Sequence, residues 1–288
     1  MSIGYLRQRD TAKPPSFVVP LRACDCHAHI FGPAERFRFV ESSSYRPPDA
    51  SQADYLRMLG TLGIERMVIV QPSVYGYDNR PTTEAIAAFG LHRGRSIVAV
   101  PPDIPMSELR QLDAGGARGV RFITLAHGGG SLDDLRTIAE RIAPLGWHIE
   151  MYVPSRTWHD LADTILALPV EMVLDHMGGI LANEPERGNG QRAVMRLLDS
   201  GRCWVKLSGY RSSVAGYPYA DVAPLARRLA SRVPERCLWG TDWPHPGLAG
   251  HMPDDGELLD LLAEWVPDAS ARRAILVDNP ARLFGFSG

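Results

Sequence analysis

Residues 23–32, Ala-Cys-Asp-Cys-His-Ala-His-Ile-Phe-Gly, form the first strand-like run of the chain and decide between two folds. A doubly wound sheet that binds a dinucleotide carries Gly-x-Gly-x-x-Gly after its first strand, so that backbone can approach a pyrophosphate. Here that place holds Asp25, His27 and His29, groups that move protons and polarise bonds. Strand side chains alternate, so the spacing predicts all three on one face.

Seven further strand-like runs follow: 66–71, 96–100, 119–124, 147–153, 170–175, 203–208 and 237–241. Segments of helical period lie between and after them, at 53–62, 82–92, 132–142, 158–168, 191–198, 222–233 and 257–265, with a less marked one near 107–114. Ser131 with Asp134 three residues on has the spacing of an N-cap. Eight βα pairs after residue 20 match a (β/α)8 barrel, whose usual length is ~250 residues. Residues 1–20 mix Arg7, Arg9, Lys13, Pro14, Pro15 and Pro20 without period, and read as an extended arm on a single domain spanning 21–288.

The chain has 288 residues, 45% hydrophobic and 22% charged, and its 31 Lys+Arg against 33 Asp+Glu leave a net charge of −2. That balance gives no global field for nucleic acid or an anionic membrane surface, so an anionic partner must be met locally. No apolar run approaches the ~20 residues of a membrane span. Four cysteines without a secretory leader point to a reducing, cytoplasmic setting. Cys24 and Cys26, one residue apart, read as small buried hydrophobes on one strand face. The oligomeric state has no signal.

In a barrel of this kind the chemistry lies at the C-terminal ends of the strands. The first run ends in Asp25-x-His27-x-His29, the sixth in Leu174-Asp-His-Met-Gly178, and the eighth in Gly240-Thr-Asp-Trp-Pro-His-Pro246. A closed barrel brings His27, His29, His176 and Asp242 to one place.

These three motifs, with the closing Asn279-Pro-Ala-Arg-Leu-Phe-Gly285, resemble the amidohydrolase superfamily over nearly the whole chain. His29-Ile-Phe-Gly-Pro33 and Val70-Gln-Pro-Ser-Val-Tyr-Gly76 are similar to its lactonase branch, the 2-pyrone-4,6-dicarboxylate hydrolases. The resemblance implies a hydrolase that opens a carboxylated lactone. In metal-dependent members a bridging Lys or Glu on the fourth strand, or a His on the fifth, joins the metal ligands. This chain offers Arg121 on the fourth, and Glu150 and Tyr152 on the fifth. A guanidinium stays cationic and cannot ligate a metal. The metal-free branch implies Asp242 as the base that deprotonates water and returns the proton to the leaving oxygen, with His27, His29 and His176 polarising the carbonyl. One Zn²⁺ on His27, His29, His176 and Asp242 remains an alternative, serving a lactonase, amidohydrolase or decarboxylase. A non-catalytic carboxylate-binding barrel is a second.

By position in the motifs, Arg121 and Arg211 match substrate-binding arginines, while Tyr45, Ser73 and Tyr152 match hydroxyl contacts. Two positions depart from the family: His127 and Gly179 stand where the dicarboxylate hydrolases have further arginines. A helix-leading His127-Gly-Gly-Gly130 offers backbone donors in partial compensation. His245 and Glu150 are open as to role, and Phe31, Tyr75 and Trp243 are candidate pocket walls.

Overall fold

The computed structural model describes residues 5–123, 130–248 and 250–287. Eight parallel strands run in chain order around a barrel: β1 Cys24–Ala28, β2 Arg66–Val70, β3 Gly94–Val98, β4 Ala117–Ile123, β5 His148–Tyr152, β6 Met172–Leu174, β7 Cys203–Lys206 and β8 Cys237–Leu238. The seam closes between β1 and the chain leaving β8: Cys26 N donates to Trp239 O at 2.9 Å, Asp242 N to His27 O at 2.7 Å and His29 N to Trp243 O at 2.8 Å. The helices are α1 Gln52–Leu62, α2 Arg80–Phe89, α3 Met106–Ala114, α4 Leu135–Ile142, α5 Thr157–Leu166, α6 Asn189–Asp199, α7 Ala223–Arg232 and α8 Asp255–Trp265, followed by the short α9 Ala269–Arg273 and α10 Asn279–Phe284. The expected (β/α)8 barrel is therefore the fold. Among the described residues no helix is long and apolar enough to cross a membrane.

Local chemistry accounts for the helices. In α1, the Ser51 side chain accepts from Asp54 N and the Asp54 carboxylate accepts from Ser51 N, which closes both ends of a capping box. Tyr55, Met58, Leu59 and Leu62 repeat at helical spacing and bury one stripe against the sheet. Gly63, at φ 70°, ends the helix in a conformation that costs a side chain but not a glycine.

Cys24, Cys26, Val68, Val70, Ile97, Val173, Trp204 and Leu238 fill the barrel interior, and Phe284 and Phe286 plug its lower end. Asn279 anchors that plug by donating to Cys237 O and Pro234 O, each at 2.8 Å. Residues 5–20 contain no helix or strand. They lie along the β8–α8 side, where Leu6 N donates to Leu248 O at 3.1 Å, Lys13 N to Asp254 Oδ1 at 3.1 Å and Ser16 Oγ to Asp260 Oδ1 at 2.8 Å.

Strand β1 departs from simple alternation. Asp25 opposes Met67 and Ala28 opposes Ile69, so β1 uses three steps where β2 uses two. The extra residue is a bulge, which re-aims the side chains beyond it. Cys24 and Cys26 are buried on one face, as expected, and that face is the barrel interior, to which His27 turns as well. Asp25 corrects the expectation of one shared face: it points to the helix layer, accepting from Tyr55 Oη at 3.0 Å, Thr241 Oγ1 at 2.6 Å and Thr241 N at 3.0 Å. It ties β1, α1 and the chain after β8 together. Burial is the main cause that lifts its carboxyl to about 6.

Candidate active site

His27, His29, His176 and Asp242 converge at the C-terminal mouth of the barrel, all essentially buried. The ring of His27 lies 5.0 Å from that of His29 and 4.7 Å from that of His176. His29 Nδ1 is 2.7 Å from Val70 O. A carbonyl only accepts, so Nδ1 carries the hydrogen and Nε2 presents a lone pair. That Nε2 stands 3.3 Å from Asp242 Oδ1, and His27 Nε2 stands 3.6 Å from the same oxygen. His176 pairs its Nδ1 with Ser208 Oγ at 2.7 Å, and its ring meets Tyr152 edge-on at 4.5 Å. Asp242 and His176 sit at φ 63° and 48°, where a non-glycine residue costs ~1–3 kcal/mol and persists only when its surroundings hold it.

The two oxygens of Asp242 have different surroundings. Oδ2 accepts from Tyr210 Oη at 2.5 Å and from Arg211 Nε. Oδ1 has no hydrogen bond among the described residues. Burial would raise this carboxyl, but the charge of Arg211 and the neighbouring imidazoles outweigh it and hold the group well below the usual carboxylate range. Burial acts oppositely on the bases. It lowers His29, and it brings His176 down to about 3. His27 is driven well below its ordinary value by burial first and then by the charge of Lys206.

Beneath the histidines lies a fully buried charge cluster. Lys206 Nζ is 2.5 Å from Glu150 Oε2, 3.3 Å from Asp175 Oδ1 and 3.1 Å from His27 Nδ1. Burial, reinforced by the Asp175 charge, lifts Glu150 to about 8. Glu150 thus enters the site from below and does not wall the cavity above.

That cavity, of about 270 Å³, is lined by His29, His176 and Asp242 on its floor and by Tyr45, Arg121, Tyr152 and Arg211 on its walls, with Tyr5 and Pro246 at the rim. Arg121 donates through Nη1 to Gln71 O at 3.1 Å and approaches Asp175 Oδ2 at 3.8 Å, while its Nε has no partner among the described residues. Arg211 is committed to Asp242 and, through Nη2, to Pro246 O at 2.9 Å. Ser73 is buried but does not line the cavity. His127 lies outside the described residues. His245 is behind the site, with Nε2 3.1 Å from Asp255 Oδ1 and its ring edge-on to Tyr210 at 5.2 Å. Phe31, Tyr75 and Trp243 pack around the site without lining the cavity.

His27 Nε2, His29 Nε2 and Asp242 Oδ1 are close enough together to be tested as a metal-ligand set. His176 does not join these three. A second group, His27 with Glu150 and Asp175, already encloses the Lys206 ammonium.

Sequence reasoning missed Lys206, Tyr210, Ser208 and Tyr5. Lys206 had a usable signal: it shares the inward face of β7 with Trp204, and a lysine there must meet buried acids. Tyr5 had none, because the arm lacks period.

The amidohydrolase family model matches residues 24–286. The chain belongs to the amidohydrolase family. Among curated members of that family, a 4-sulfomuconolactone hydrolase from Rhizobium radiobacter is 40% identical over 96% of this chain and 94% of its own length. A 2-pyrone-4,6-dicarboxylate hydrolase from Comamonas testosteroni is 38% identical over 98% and 96%. Among solved structures, an apo protein from Agrobacterium tumefaciens superposes with a TM-score of 0.89 at 30% identity, covering 97% of this chain and 99% of the other. Both of these curated relatives are named as hydrolases.

Proposed function

We propose that the protein hydrolyses an anionic lactone, 2-pyrone-4,6-dicarboxylate or a related carboxylated ring, without a metal ion. The names of its relatives support the substrate class. The observation that carries the mechanism is the asymmetry of Asp242: Oδ2 saturated by Tyr210 and Arg211, Oδ1 open beside His29 Nε2. Two acceptors 3.3 Å apart call for a hydrogen donor at the cavity floor. A water seated there donates to Asp242 Oδ1 and His29 Nε2 and turns a lone pair toward the lactone carbonyl.

Asp242 takes the water proton as the new C–O bond forms. Negative charge gathers on the carbonyl oxygen, to which His27 and His176 would offer imidazole N–H groups; His29, expected to join them, instead turns the Nε2 lone pair toward the water. The tetrahedral adduct then collapses, the ring C–O bond breaks, and Asp242 gives its proton to the leaving oxygen. One water has been added, giving a carboxylic acid and an enol or alcohol. Arg121, whose Nε has no partner among the described residues, receives a substrate carboxylate from the wall. Arg121 beside Asp175 and Lys206 beside His27 supply fixed positive charge around the floor, which opposes a dication there.

The test is turnover by metal-analysed, chelator-treated protein given 2-pyrone-4,6-dicarboxylate near pH 8, followed by loss of the pyrone's ultraviolet absorbance. Sustained loss is expected. No loss, with or without added Zn²⁺, would move the search to lactones bearing one anionic group. Activity that appears only with Zn²⁺ would replace the metal-free mechanism.

A further inference from the structure

We propose that Lys206 fixes His27 as its Nε2–H tautomer, so that His27 is a hydrogen-bond donor to the lactone carbonyl and is unavailable as a metal ligand. The proposal deepens the mechanism above and rests on it for the identity of the acceptor. Its core is the chemistry of one contact. An ammonium carries three hydrogens and no lone pair, so it can only donate. Lys206 Nζ lies 3.1 Å from His27 Nδ1. Asp175 Oδ1 at 3.3 Å and Glu150 Oε1 at 3.5 Å are the competing acceptors at that nitrogen, both farther than the ammonium, so with Lys206 in place Nδ1 accepts and in a neutral ring the hydrogen resides on Nε2.

The rest of the geometry agrees. His27 Nε2 is buried and has no hydrogen-bond partner among the described residues. It faces Asp242 Oδ1 at 3.6 Å, too long for a hydrogen bond, and lies packed against the His29 and His176 rings just beneath the cavity floor, where it would meet a carbonyl oxygen that reaches that floor. Lys206 is held in turn by Glu150 Oε2 at 2.5 Å and Asp175 Oδ1 at 3.3 Å, so the ammonium does not leave His27. Gly240 allows this placement: a Cβ there would fall 2.7 Å from the His27 Cβ and backbone N.

The same contact decides the metal question. A histidine that ligates through Nε2 needs its hydrogen on Nδ1, donated to a carbonyl or carboxylate. His29 has that arrangement, with Val70 O as acceptor. His27 has the reverse. Of the three atoms that converge, only His29 Nε2 and Asp242 Oδ1 then offer lone pairs, one short of a usual zinc site. Lys206 is thus a positioning residue, acting through His27 and touching no substrate.

Heteronuclear NMR of the histidine ring nitrogens tests this directly in the wild-type protein. His27 is expected to show a protonated Nε2 and a bare Nδ1. Hydrogen on Nδ1, or on both nitrogens, would overturn the proposal. In Lys206→Met, Asp175 Oδ1, 3.3 Å from His27 Nδ1, becomes the acceptor and the tautomer is expected to switch. That variant should gain stoichiometric Zn²⁺ binding that the wild type lacks, and lose ~10²-fold or more in kcat with a smaller change in KM. If Lys206→Met fails to fold, the Lys206→Met/Glu150→Gln double variant removes the unpaired acid and carries the same expectations. An unchanged tautomer in a folded variant, or stoichiometric Zn²⁺ on the wild-type site, refutes the role. The ring-nitrogen and Zn²⁺-binding readouts need no lactone, so they stand apart from the turnover assay.

Discussion

Arg211 and Asp242 form a one-sided pair: the guanidinium Nε bonds Oδ2 and leaves Oδ1 to the cavity. Among the charges that offset burial, Arg211 is the foremost in holding Asp242 ionised. Arg211→Gln removes that charge, so the Asp242 carboxyl rises toward the ordinary range. The acid limb of kcat/KM should then move to higher pH, with Arg211→Lys between the two. A higher KM with an unmoved limb would make Arg211 a substrate contact alone.

Asp242→Asn removes the carboxylate that takes the water's proton and leaves His29 Nε2 as the one remaining acceptor among the described residues. Turnover should fall by ~10²–10⁴-fold, the usual contribution of a general acid–base group. Far-ultraviolet circular dichroism should remain that of the folded barrel, because an amide still accepts from Tyr210. Near-full activity in a folded Asp242→Asn protein would remove Asp242 from the mechanism.

Gly179, where the resemblance to the dicarboxylate hydrolases implies an arginine, has a backbone unsuited to a side chain. It lies at φ 64°, and a Cβ would fall 2.1 Å from Val153 O. Gly179→Ala should cost at least ~3 kcal/mol in chemical denaturation, since backbone strain and a backbone clash combine. Gly179→Arg should fold worse still and gain nothing on a dicarboxylate. A stable Gly179→Arg protein with a lower KM for the pyrone would show that the loop repacks.

Glu150 makes stability depend on pH. Burial first, then Asp175, raises its carboxyl from 4.5 to about 8 in the folded state. Between those values the native state holds a proton that the unfolded chain has released, so stability falls as pH rises through the window. Glu150→Gln removes the linkage. Its Tm should vary less than that of the wild type between pH 5 and 8, and the difference should favour the variant more at the alkaline end. Parallel Tm profiles for the two proteins would mean that Glu150 is ionised throughout.

The barrel was legible because each strand had its own apolar run and each helix its own period. Strand lengths were less so: run 237–241 gives only Cys237–Leu238 as strand, since the chain beyond bonds to β1 through Trp239, Asp242 and Trp243. The four groups that converge at the barrel mouth came from motif position, which survives such details. Asp25 was misplaced because a bulge is invisible in a pattern of period two. Lys206 and Tyr210 were missed because their importance lies in partners more than thirty residues distant, Glu150 and Asp242. Gly179 was seen as a lost arginine, whereas the carbonyl that excludes a side chain belongs to residue 153 and shows only in the fold.

The arm reaches the cavity through Tyr5. Its ring stands edge-on to Tyr45, with centroids 6.3 Å apart at 89°, and both line the cavity. Leu6 N on Leu248 O holds the turn of chain beside it. A similar edge-to-face contact of the Tyr5 ring with a bound lactone ring would be worth ~0.5–1.5 kcal/mol, which corresponds to ~2–10-fold in binding. Tyr5→Ala should therefore raise KM by about that factor and leave kcat within ~2-fold, because Tyr5 touches none of the groups that move protons. The Tm should hardly change, since Tyr5 is only half-buried. A fall in kcat at constant KM would place the arm in the chemical step, and no change in either would reduce it to a surface strap.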